Sequence, residues 1–98
     1  MNIPNSRQQS STIGNIQIIP NPNSGQFSLE GKLSSDLKDA GLEITNVIGQ
    51  LIYKRTIALN QGELHQFIEF GEEIPNGIYL LHVSTESGGA VMRFVINR

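Results

Sequence analysis

The chain has 98 residues, 38% of them hydrophobic, with nine acidic against seven basic side chains and a formal net charge of -2. That length is one small domain, able to bury roughly three-fifths to two-thirds of its extended surface. No Lys/Arg cluster has the density of a nucleic-acid or anionic-membrane footprint, and without cysteine there are no disulfides or thiolate metal sites, so packing must hold the fold.

Residues 1–15, MNIPNSRQQSSTIGN, have little to bury and no apolar core of an export signal. They read as a flexible linker or tail ahead of a domain spanning residues 16–98. From Ile16 onward apolar residues recur with period two, the spacing that places alternate side chains on opposite faces of a strand. The first apolar run, residues 16–19, is followed at once by PNPNSG. There Pro20 has no N–H for a ladder, Pro22 restricts Asn21 to extended conformations, and Gly25 frees the chain to enter the next strand.

In GQFSLEG, Phe27 and Leu29 share one face and Ser28 and Glu30 the other. Residues 34–40, SSDLKDA, are too few for a stable helix and are read as a loop crossing between sheets. Leu42 and Ile44 then alternate with Glu43 and Thr45, and Asn46 opens a four-residue turn in which Gly49 is free to take positive φ, so a hairpin is expected. Leu51, Tyr53, Ile57 and Leu59 share a parity interrupted by Arg55. Asn60-Gln61-Gly62 reads as a second hairpin turn, leading to a strand with Leu64, Ile68 and Phe70 in register. Residues 78–85 place Tyr79, Leu81 and Val83 on one face, Ser87-Gly88-Gly89 turns the chain, and residues 91–96 align Met92, Phe94 and Ile96. About seven strands at regular spacing, with little helical signal, make an all-β antiparallel sandwich or barrel. No apolar stretch approaches bilayer-spanning length, so no membrane insertion is expected.

Catalytic chemistry needs convergent polar groups, and none stand out. His65 and His82 fall on different strands without metal-ligand spacing, and the pairs Glu72/Glu73 and Asp36/Asp39 lack the ligand ladder of a calcium loop. No serine sits in a Gly-x-Ser-x-Gly elbow, and no glycine-rich loop opens a helix that could cradle phosphate. The expectation is a non-enzyme with no cofactor and no metal.

Three landmarks stand in order: IQIIPNPNSGQFSLEG near the start, ITNVIGQLIY in the middle and IPNGIYLLHVSTESGGAVMRFVINR at the end. Together they resemble the type A C-terminal sorting domain of type IX secretion cargo. In that family a Pro-Asn-Pro segment opens the domain, a D/N-x-x-G hairpin lies mid-chain, and a Gly-Ile-Tyr strand precedes a basic-ended final strand. The matching signal residues here are Pro20, Asn21, Pro22 and Gly25; Asn46 and Gly49; and Gly77, Ile78 and Tyr79. Asn46 stands where the family commonly has aspartate, and Met92-Arg93 where it often shows lysine pairs.

The resemblance implies an immunoglobulin-like β-sandwich that directs an N-terminally fused cargo from the periplasm across the outer membrane to the cell surface or medium. It implies as partners a type IX translocon or shuttle protein and a sortase-like protease. The protease would cut in the linker ahead of the folded part and join the cargo to a lipopolysaccharide anchor. Arg93, Asn97 and Arg98 are the candidate recognition surface, because exposed basic residues on a last strand contribute little to folding and can pair with a partner's carboxylate. Plain structural roles stand beside these: a turn for Gly77, core filling for Tyr79, and edge protection for the arginines. The competing function is a structural or adhesive, carbohydrate- or protein-binding module, and free strand edges would also permit a dimer.

Overall fold

The computed structural model describes residues 9–11 and 14–98, and these residues form eight strands. They are β1 (Gln9–Ser11), β2 (Gly14–Ile19), β3 (Gln26–Leu33), β4 (Asp39–Asn46), β5 (Leu51–Ala58), β6 (Glu63–Glu69), β7 (Gly77–Thr85) and β8 (Gly88–Ile96). Every strand pairing is antiparallel. One sheet has the order β2-β3-β6; the other runs β8-β7-β4-β5, with the short β1 added outside β8. The architecture is the expected antiparallel β-sandwich. No helix among the described residues is long and apolar enough to cross a membrane.

The period-two rows meet between the sheets. Phe27, Leu29, Leu64 and Ile68 from the smaller sheet face Leu42, Ile44, Leu81, Phe94 and Ile96 from the larger, all buried. An aromatic relay crosses the core: Tyr79 stacks on Phe94 at 5.8 Å between ring centroids, Phe94 lies 4.8 Å from Phe27, and Phe70 bridges Phe27 and Tyr53 at 6.0 Å each. Offset and edge-on contacts of this kind add about 0.5–1.5 kcal/mol per pair to the burial of the rings.

The loop after β3 does cross between sheets. It sends Leu37 into the core, and Leu37 N–H donates to Ser34 O at 3.1 Å. At the β4–β5 hairpin, Gly49 N–H donates to Asn46 O at 3.0 Å and Gly49 sits at φ +89°, as its turn position requires. The last hairpin turns through Glu86 and Ser87, because Thr85 pairs with Gly88.

Three expectations change. Residues 60–63 form a tight turn, with Glu63 N–H donating to Asn60 O at 2.9 Å, but β5 and β6 belong to different sheets, so no hairpin forms there. Leu51 leaves the inward row. A register shift between Ile44 and Thr45 pairs Ile44 with Tyr53 and Thr45 with Leu51, so Leu51 lies beside an outward-facing residue and is 55% exposed. One extra residue in a strand reverses the faces of everything beyond it. Finally, the stretch read as a tail contributes Gln9–Ser11 as β1 and opens β2 at Gly14; residues 1–8, 12 and 13 lie outside the described residues.

Candidate functional site

The signal residues named from the sequence come together at one end of the sandwich. Register sets this up: Asn46 pairs with Tyr79, Tyr79 with Phe94, Gly77 with Ile96, and Asn23 bridges to Ile96 in parallel. The end of β4, the start of β7, the end of β8 and the PNPNSG segment are therefore neighbours. The Glu86-Ser87 turn lies at the other end of β7.

PNPNSG runs along the outer edge of β8. The Ile19-Pro20 and Asn21-Pro22 peptide bonds are both cis. Asn21 uses its side-chain amide as a strand would use its backbone: Val95 N–H donates to Asn21 Oδ1 at 3.0 Å, and Asn21 Nδ2 reaches Arg93 O at 3.5 Å. Asn23 continues with its own main chain, donating to Val95 O at 3.0 Å and accepting from Asn97 N–H at 2.7 Å. Its side chain is satisfied too, with Asn23 Nδ2 donating to Pro20 O at 3.1 Å and Gly25 N–H donating to Asn23 Oδ1 at 2.9 Å.

Asn23 is only 4% exposed, the buried polar residue on which this end is organised. It was absent from the candidates drawn from the motif. A signal existed: an asparagine two residues before a glycine can close an Asx-turn onto it. Among the described residues, β1 covers Ala90–Met92 and PNPNSG covers Arg93–Asn97 along the outer edge of β8.

The chain end is held from the other side. Arg98 N–H donates to Asn76 Oδ1 at 3.0 Å, and its guanidinium donates to the carbonyls of Ile74 at 2.6 Å, Gly71 at 2.9 Å and Phe70 at 3.5 Å. Arg98 thus pins the 70–74 loop, which is also tied to PNPNSG by Phe70 N–H donating to Gly25 O at 2.8 Å. Tyr79 is buried with its hydroxyl donating to Pro75 O at 2.6 Å. Asn46 closes its own turn, its Oδ1 accepting from the N–H groups of Ile48 at 3.1 Å and Gln50 at 2.9 Å.

Arg93 differs from Arg98. It is exposed on the outer face of β8, and its guanidinium meets no carboxylate among the described residues, where the ion pairs are Lys54–Glu43 at 3.7 Å and His65–Glu30 at 3.5 Å. Beside it a groove of about 390 Å³ runs between β2 and β8, lined by Ile16 to Ile19, Asn21, Met92 and Arg93. Among the described residues, no three His, Cys, Asp or Glu side chains are grouped so as to hold a metal ion.

This end gathers capping amides and paired backbone, with Arg93 exposed and without a carboxylate partner among the described residues. The family model for the secretion system C-terminal sorting domain matches residues 17–97, and the chain belongs to that family. No curated protein matches it. The domain is a sorting signal of the type IX secretion system, a role that implies engagement with the secretion machinery and a route through the periplasm to the outer membrane.

Proposed function

We propose that the secretion machinery reads this signal as a folded surface at the PNPNSG end of the sandwich. A translocon or shuttle protein docks there, and a sortase-like protease then removes the domain by cutting ahead of its folded part and attaches the cargo to the cell surface. The supporting observation is convergence: Asn21 and Val95, 74 positions apart, are hydrogen-bonded to each other, and all three motif segments abut on this end. A linear tag would have no need of such long-range pairing. In this reading Pro20, Asn21, Pro22, Gly25, Asn46, Gly49, Gly77 and Tyr79 shape the surface. Ile78, Arg93 and Asn97 face outward on it, and Arg98 holds it together.

The test is to fuse the 98-residue chain behind a periplasmic reporter in a host carrying the type IX system. Export of the reporter is expected, with loss of the domain from the surface-attached product. Retention of the reporter in the periplasm would overturn the sorting role for this chain, and export with the domain still attached would overturn the removal step.

A further inference from the structure

The two outer faces of the sandwich differ. On the smaller sheet, the rows Gln17–Glu30–His65 and Asn15–Lys32–Glu63 are polar, as expected for a solvated antiparallel face, and Ile19 and Phe67 are separated by Ser28. On the larger sheet, register aligns Val95 with Ile78, then Arg93 with Leu80, Thr45 and Leu51, then Val91 with His82, Glu43 and Lys54. Leu51 at 55%, Ile78 at 42% and Val91 at 38% are openly exposed, with Leu80 and Val95 half-buried between them. Strand β7 is the sequence sign of this, because GIYLLHV is apolar on both parities where a one-sided strand would alternate. Ile78, Leu80, Val95 and Val91 adjoin here, with Leu51 beyond Thr45, and an apolar patch rimmed by polar groups marks an interaction site.

The charges say what kind of occupant fits. Within the patch Glu43 pairs with Lys54 at 3.7 Å, and Arg93 has no carboxylate partner among the described residues. A second copy laid patch on patch would offer Arg93 only Glu43, a carboxylate already shared with Lys54, so a partner with a carboxylate of its own fits the patch better. We infer that the outer face of β5-β4-β7-β8 is a docking surface for a different protein, one presenting apolar side chains around a free carboxylate that pairs with Arg93. This rests on the sorting role proposed above and names the side of the domain that meets the machinery. At that end it places the contact on the sheet face around Arg93 and not on Arg98, which is internally engaged.

The experiment places a photo-crosslinking residue at position 51, 78 or, as the opposite-face control, 32 in the full 98-residue chain. Each is carried behind a periplasmic reporter in a host with the type IX system, in the wild-type, Arg93→Glu and Arg93→Lys backgrounds. Thermal melting of each purified variant checks folding, and export is scored separately. Adducts with a different protein are expected from positions 51 and 78, falling roughly tenfold or more in Arg93→Glu, as loss of an interfacial charge pair does, and largely kept in Arg93→Lys. Equal adducts from position 32, adducts indifferent to Arg93→Glu, or adducts with a second copy of the chain would each overturn the docking surface. Export of the wild-type reporter with no adduct at 51 or 78 would overturn it while leaving the sorting role intact. Retained reporter with Arg93-dependent adducts would instead overturn the sorting role alone.

Discussion

The guanidinium of Arg98 occupies the space that a side chain on Gly25 would fill: an added Cβ would lie 2.6 Å from its Nη2. Gly25 also sits at φ +101°, where a Cβ is strained whatever the space. The first motif and the end of the chain are thus fitted to each other. Gly25→Ala should destabilise the domain by about 1–3 kcal/mol, from backbone strain together with displacement of Arg98. In an Arg98→Ala background the same change should cost less, because only the backbone strain remains. A double-mutant cycle by urea unfolding measures the difference, and strict additivity would show that the contact carries no energy.

Asn23→Ala leaves Gly25 N–H and Pro20 O without their side-chain partners in a buried setting. A loss of about 1–3 kcal/mol is expected. Ser24→Ala, exposed one residue along, should stay within about 0.5 kcal/mol. Chemical denaturation of the pair separates a role of the asparagine amide from a general sensitivity of the loop.

Tyr79 combines a buried ring with one outward hydrogen bond. Tyr79→Phe removes only the bond to Pro75 O, at about 0.5–1.5 kcal/mol, whereas Tyr79→Ala empties a core position beside Phe94 at about 3–5 kcal/mol and should leave little folded protein. Thermal melts followed by circular dichroism distinguish them. Equal effects would mean that the hydroxyl, and not the ring, holds the start of β7.

Leu51 and Ile57 carry the same parity in the chain but different environments. Leu51→Thr should change stability by no more than about 0.5 kcal/mol, because the side chain already faces solvent. Ile57→Ala should cost about 2–4 kcal/mol. Comparable losses at the two positions would contradict the register shift at Ile44/Thr45.

Strand parity and turns are local properties, and they were legible in the chain. Phe27, Leu29, Leu42, Ile44, Tyr79, Leu81, Phe94 and Ile96 all lie inward as their spacing predicts, because a strand's faces follow from backbone geometry alone. The turn at Asn46 is equally local, closed by that residue's own side chain within four residues. The family, too, was readable, since its motifs are short runs in a particular order.

The remaining features depend on residues brought together from distant parts of the chain. Residues 60–63 are the same turn whether or not the strands beside them pair, and only the partition of β5 and β6 between sheets decides the matter. The register shift is invisible in LIYKRTIAL, because an extra residue counts only against a partner strand. Arg98 reads from the sequence as an exposed basic tip, and Asn23 carries no distinguishing long-range signal; their partners lie on Val95, Asn97 and the 70–74 loop. Period and turn chemistry therefore specify which side chains enter the core. Which segments gather at one end of the sandwich, and which of Arg93 and Arg98 the fold itself engages, is decided by long-range hydrogen bonds: each exposed amide and carbonyl near β8 takes the nearest group that folding supplies.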